Sequence, residues 1–484
     1  MAFDDSSLDY EPVSHSRRGS SPAEEAVSSS WPESARLKNF NKTTIEKASS
    51  AEAFSAPEAH KLFAVKSDLR LGQRGHTFSF VALFVYVVIA YFRPYELSSL
   101  LAWTIWLPFW LGLAMVIVFV SSQYVLHGNL TDRPREVNLV LLLTITALLS
   151  IPLAASAFEA WDVFNKIFIK TVLLFVIMIN AMQTERRLKL MLFLALAAGF
   201  YMSGLALLDY GAATPAPMDI ARAKTTVNNM FGEPNAMALH LVTMIPIAAV
   251  MFLASSNILK KVLYGGGALL MIAGNFATQS RGGFLGIVAA GSVLAWKLGR
   301  RNRFLMVGVL AIAVAAAFAF APGGYGDRMS TILNPDSESS ATSRRELLKR
   351  SVLMTAANPL FGIGIGNFPI VGQRGQTTHN AYTQVAAEMG IAAFIFYVLF
   401  LVAGWKRLRR LERETLLDRK LTRYHYLTVG LQASLTGYLV GSFFLSVAYD
   451  WYVYFIIGYV ICLDRIYHLR RHEYSDATAD KALV

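Results

Sequence analysis

The chain is 484 residues long, 54% of them hydrophobic and only 16% charged. With a mean hydropathy of +0.42, that balance excludes a water-soluble globule and requires apolar side chains to face lipid. A formal net charge of +12 would suggest nucleic acid in a soluble protein; in a chain this apolar it points to basic cytoplasmic loops and anionic headgroups. The single cysteine, Cys462, lies in the last apolar run, which excludes an intrachain disulfide and argues against a thiolate metal site.

Residues 1–75 are rich in Ser, Ala and Glu with interspersed Lys and Arg, and lack the apolar stretch of a signal peptide, so a disordered cytoplasmic tail is expected. Apolar runs follow at about 77–92, 102–121, 137–154, 163–182, 187–208, 236–254, 262–279, 283–299, 304–321, 389–405, 425–447 and 450–468. Each is long enough, at about 1.5 Å per residue, to cross a hydrocarbon core about 30 Å thick. The expected fold is an all-α integral membrane protein of about twelve transmembrane helices, nine within 76–321 and three within 389–468. A long outer loop carrying short helices is expected over 322–388, and a cytoplasmic tail over 469–484.

The positive-inside rule supports this alternation. One set of loops carries Arg133 and Arg135; Arg186, Arg187 and Lys189; Lys260 and Lys261; Arg300, Arg301 and Arg303; and the basic run from Lys406 to Arg423. The intervening loops carry little, so both termini are expected in the cytoplasm and 322–388 on the periplasmic or outer side. In that loop Ser343-Arg344-Arg345-Glu346 fits a capping box at a helix start. Glu346 and Arg350 lie one turn apart, and Pro359 stops the helix after Asn358. The FGIGIGNF stretch lacks the Gly-Lys-Ser/Thr of a phosphate loop and reads as close backbone packing.

Several cations fall where topology does not ask for them. Arg281 sits in a short outer turn, TQSRGG. Lys166 and Lys170 follow Asp162 at four-residue steps in the outer half of the fourth helix, on one face. They form either an internal Asp–Lys pair or snorkelling lysines, or else a cationic cup, open to the outside, for a polyanion. Arg222, Lys224, Arg328, Arg344 and Arg345 add outer charge, either as solvated side chains or as part of that cup. Arginine suits phosphate because its planar fork donates paired hydrogen bonds. His379 either marks a helix entry beside the capping Asn380 or supplies a neutral imidazole that accepts a proton near pH 7.

The ordered set FGEPNAMA (231–238), TQSRGG (278–283), Arg344, NPLFGIGIGNF (358–368) and HNAYTQVAAEMG (379–390) resembles the O-antigen ligase and polymerase superfamily of bacterial inner-membrane glycosyltransferases. The resemblance covers roughly residues 80–465. It implies transfer of a glycan from undecaprenyl diphosphate, at the periplasmic face, to a sugar hydroxyl of the lipid A core (a ligase) or of another lipid-linked glycan (a polymerase). No cofactor, metal or nucleic acid is implied, and inversion at the anomeric carbon is expected. By the same resemblance Arg281 and Arg344 would hold the diphosphate and His379 would activate the acceptor. Arg222 or Lys224 would assist, while Asn235 and Asn380 would fix loop geometry. A polytopic transporter is the alternative from another class, but Asp132-Arg133 lacks the glycines of a carrier signature, and no half-to-half repeat is visible.

Overall fold

The computed structural model describes residues 76–97, 99–129, 131–212, 233–299, 304, 308, 339–372, 375–418 and 421–482. The chain divides into two units, Met1–Asp68 and Leu69–Val484. The first, with the expected N-terminal tail, lies outside the described residues, and all that follows concerns the second.

Every regular element among the described residues is helical. In chain order they are α1 (Thr77–Phe92), α2 (Pro94–Leu97), a 3-10 segment (Ser99–Trp106), α3 (Leu107–His127), α4 (Arg135–Ser150) and α5 (Ala157–Val163). A π segment (Phe164–Phe168) leads into α6 (Ile169–Ala181), followed by α7 (Glu185–Ala212), α8 (Pro234–Ala254), α9 (Ile258–Ala277) and α10 (Arg281–Leu298). Then come α11 (Ser339–Ala357), α12 (Phe368–Val371), α13 (Ala381–Leu417), α14 (Thr422–Gly441), a 3-10 turn (Ser442–Phe444) and α15 (Trp451–Ala482). In lipid every backbone N–H and C=O needs an internal partner, which is why apolar sequence of this length becomes helix.

Seven stretches among the described residues are long and apolar enough to cross a membrane: Thr77–Glu96, Leu100–Leu126, Glu185–Leu208, Pro234–Ala254, Ala381–Leu416, Thr422–Phe444 and Trp451–Glu473. The expected runs at 137–154, 163–182, 262–279 and 283–299 are also largely helical, as α4, the α5–π–α6 series, α9 and α10. The ninth run, 304–321, lies outside the described residues apart from residues 304 and 308.

The structure corrects the capping box. Helix α11 already begins at Ser339, so Ser343 is an interior residue, and its hydroxyl donates to Gln376 Oε1 at 3.1 Å. The Glu346–Arg350 pair does form, at 3.5 Å. The tenth run starts earlier than hydropathy suggests: α13 opens at Ala381, breaks at Gly390 (φ 87°, ψ 177°) and continues to Leu417.

Two features position the site. Helices α10 and α14 approach through glycines spaced four apart: a Cβ on Gly286 would lie 3.3 Å from Gly437 O, and one on Gly441 3.9 Å from Gly282 O. Small residues at this spacing let backbones meet in lipid. They also bring the start of α10 against Phe444, whose Cβ would lie 3.2 Å from a Cβ on Gly282.

The second feature is the glycine turn 360–367, wedged against the break in α13. Ile363 N and Gly364 N donate to Ala387 O and Glu388 O, both at 2.9 Å, and Ile391 N donates to Pro359 O at 2.8 Å. Backbone packing, not phosphate binding, accounts for these glycines. The buried Glu388 carboxylate accepts from Gly366 N (2.9 Å), Phe368 N (3.2 Å) and Tyr449 Oη (2.6 Å), tying the turn to the α14–α15 connection.

At the far end, ion pairs clamp three helices. Arg407 on α13 donates twice to Glu136 of α4, at 2.8 and 2.7 Å, and once to Asp464 of α15 at 2.6 Å.

Candidate functional site

Two short turns of matching construction start α10 and α13. In Thr278-Gln279-Ser280 and Thr378-His379-Asn380 the threonine hydroxyl accepts from the third residue's N–H, at 3.3 and 3.4 Å. The middle residue is left-handed in both, with φ 51° at Gln279 and 50° at His379. The third residue caps the helix: Ser280 Oγ accepts from Gly283 N at 3.2 Å, and Asn380 Oδ1 from Tyr382 N and Thr383 N at 2.9 and 3.0 Å. A left-handed non-glycine residue costs roughly 1–2 kcal/mol, which the cap and the hydroxyl bond offset. A hydrogen bond of 2.8 Å between the hydroxyls of Thr378 and Ser446 pins the His379 turn to the α14–α15 connection.

His379 lines a cavity of ≈ 570 Å³. Lys166 and Lys170 enter it from the π segment and α6, Arg93 from the end of α1, Glu233 from the start of α8, and Asp450 from the residue before α15. The rest is largely apolar and aromatic, including Tyr86, Tyr91 and Trp451. Lys166 Nζ pairs with Asp162 Oδ1 at 2.7 Å, so the expected Asp–Lys contact exists, and both lysines also face the cavity.

Burial and the Arg344 guanidinium hold the His379 imidazole below the usual histidine value, with Glu233 opposing them. At neutral pH the ring is therefore uncharged and able to accept a proton. Burial, aided by Glu233, raises the Asp450 carboxyl to about 7.

The other sequence-predicted residues divide as follows. Arg344 is half-buried on α11 and close enough to act on His379 electrostatically, while Arg345 is exposed. Arg281 is the first residue of α10, half-buried. Its neighbour Gly282 touches Phe444, and Leu445, the next residue along, lines the His379 cavity. Neither Arg281 nor Arg344 is itself among the residues lining that cavity. Asn380 is the cap of α13, and Asn235 Nδ2 donates to Glu233 Oε1 at 3.1 Å. Arg222, Lys224 and Arg328 lie outside the described residues.

Sequence reasoning missed Asp450, Arg93 and the inward role of Glu233. Asp450 had a signal: a carboxylate in the short connection between two apolar runs, where the bilayer boundary gives an acid no reason to sit unless it faces a wet cavity.

Residues 266–398 match the family model described as O-Antigen ligase. The match bears out the motif resemblance and places this segment in the O-antigen ligase superfamily. Arg281, Arg344 and His379 all fall inside it, whereas Lys166, Lys170, Arg93, Glu233 and Asp450 fall outside. No curated protein matches the chain.

Proposed function

From the O-antigen ligase match we propose that this chain transfers a glycan from undecaprenyl diphosphate to a sugar hydroxyl at the periplasmic face of a bacterial inner membrane. The observation that carries the reading is the His379 cavity, which gathers Lys166 and Lys170 beside an imidazole, at the end of the bundle where Arg281 starts α10. The reading keeps the twelve-span topology, with 304–321 as the ninth span and both termini in the cytoplasm. In support, the end of α13 and α14 away from His379 bears Arg407, Arg409, Arg410 and Arg423, the sign expected of a cytoplasmic face.

The chemistry follows from charge. As the anomeric carbon–oxygen bond breaks, negative charge grows on the departing diphosphate. Arg281, Arg344, Lys166 and Lys170 stabilise that charge more than they stabilise the intact donor. The helix dipoles of α10 and α13, which both start at this end, add partial positive charge there. A cation such as Arg281 in the first turn of a helix is unfavourable with the dipole alone, and an anion shared between them reverses that sign.

His379 takes the hydroxyl proton as the acceptor oxygen attacks the anomeric carbon from the face opposite the leaving diphosphate. The product is inverted at that carbon, and no metal or cofactor enters any step. Arg222, Lys224, Arg328 and Arg345 remain proposed donor contacts, and Asn235 and Asn380 proposed supports of the loops.

A ligase acting on the lipid A core is preferred over a polymerase, because one outer segment carries both Arg344 and His379. The test is conversion of purified undecaprenyl-diphosphate-linked glycan by the purified chain in detergent with EDTA and no transmembrane gradient. Transfer to a lipid A core acceptor supports the proposal. Lengthening of the lipid-linked glycan identifies the polymerase instead, and no conversion with either acceptor removes the enzyme reading in favour of a carrier.

A further inference from the structure

At the opposite end of the bundle a second cavity, of ≈ 810 Å³, opens between the start of α7, the α8–α9 turn, the start of α14 and the far part of α15. Helix α8 joins the two sites: Ala236 lines the His379 cavity, and Met251 and Ala254 line this one. Its 21 residues span about 30 Å at 1.5 Å each, the thickness of a hydrocarbon core. The second cavity therefore lies at the other membrane boundary.

Arg186, Lys189, Lys260, Arg423 and Arg470 line it with one carboxylate, Glu185. Glu185 is already shared among Lys189 (2.6 Å), Arg423 (3.0 Å), the Tyr424 hydroxyl (3.0 Å) and Arg470 (3.9 Å). Arg470 also pairs with Glu473 at 2.8 Å. Two carboxylates thus face five cations, which leaves positive charge in excess. Lys260 stands in the first turn of α9, whose cap Asn257 accepts from Leu259 N and Lys260 N and also lines the cavity.

The bilayer side of the cavity is apolar. Leu190 and Phe193 line it at 39% and 44% exposure, and Leu259 and Val262 on neighbouring α9 stand 74% and 64% exposed. A free phosphate would use only the cations. A phospholipid uses both halves, its phosphodiester among the cations and its acyl chains along the apolar wall.

We propose that this cavity is a binding site for the phosphodiester headgroup of an anionic phospholipid in the leaflet at this end, separate from the donor site. Such a lipid would brace α7, α9, α14 and α15 against one another beside the Glu185 ion pairs, which join α7 to α14 and α15.

The test titrates the full-length purified chain in detergent with phosphatidylglycerol or phosphatidylcholine and counts retained lipid by native mass spectrometry. Phosphatidylglycerol is expected to be preferred and to persist in millimolar inorganic phosphate. Lys260→Gln should cut the preference about fivefold, and Arg186→Gln with Lys260→Gln about 25-fold, at about fivefold per cation. Arg409→Gln, at the same membrane boundary but outside the cavity, should leave it unchanged. Equal retention of the two lipids by the unmodified chain, or an unaltered preference in both cavity variants, would overturn the assignment. So would an equal loss in Arg409→Gln, which marks diffuse surface charge, or displacement by inorganic phosphate, which marks a free-phosphate site.

Discussion

Replacing Gly362 by alanine tests whether the glycine turn wedges the helical segment that leads from His379 into the membrane. Gly362 has φ +67°, and a Cβ there would lie 2.4 Å from the backbone carbon of Glu388 and 2.5 Å from its oxygen and from Met389 N. The left-handed backbone alone costs alanine roughly 1–2 kcal/mol. Because the neighbours are backbone atoms, relieving the overlap moves the turn or the Gly390 break by about 1 Å, and overpacking of that kind costs about 1–3 kcal/mol. The sum is about 2–5 kcal/mol. Gly375→Ala isolates the first part, since Gly375 has φ +66° with nothing within 4 Å of its added Cβ. Thermal unfolding in detergent should therefore place Gly362→Ala well below Gly375→Ala, with glycan transfer impaired in step. Equal melting temperatures would show that the turn does not fix the segment and that the proposed wedge is wrong.

The imidazole makes a signed prediction. Transfer should rise with pH through the lowered His379 value, because the proton acceptor is the neutral ring, present above that value and lost below it. Arg344→Gln removes a cation that lowers it and should move the acid limb of the pH–rate profile to higher pH, while Glu233→Gln removes a carboxylate that raises it and should move the limb lower. Shifts of the same sign would refute this electrostatic reading. Asn380→Ala should cost about 1 kcal/mol of stability by deleting the cap, and Asn380→Asp almost nothing, both read from melting curves. Arg407→Gln strands the buried carboxylate of Glu136, while Asp464 keeps Arg410 at 2.8 Å, and should cost about 3–5 kcal/mol, seen as loss of folded protein in size-exclusion profiles.

Hydropathy made the helices legible, and the four-residue spacing placed Asp162, Lys166 and Lys170 on one side, as the 2.7 Å Asp162–Lys166 pair and the shared cavity show. The turn chemistry of 358–368 was legible too, because a glycine run lacking the Lys-Ser/Thr of a phosphate loop reads best as close packing, and Ile363 N and Gly364 N do bond to the backbone of α13. Boundaries were not. Helices α13 and α15 run far beyond their apolar windows, to Leu417 and Ala482, because charged residues such as Arg409 and Arg413 form helix as readily as leucine but hide from a hydropathy window. The capping-box pattern at Ser343 misled because helix had already begun at Ser339, leaving its hydroxyl to Gln376. Pairings such as Glu136 with Arg407 join residues 271 apart, and no local pattern encodes them. The same reason kept Asp450 and Glu233 from being placed beside His379.

The account stands or falls on the role of the imidazole beside the lipid diphosphate. The direct measurement is the single-turnover rate of glycan transfer by purified His379→Ala at saturating donor, with donor binding measured in parallel. A rate about 10²–10⁴-fold below the unmodified protein with donor affinity retained is the expected result. An unchanged rate would contradict it, and would leave His379 as no more than the residue that precedes a helix cap.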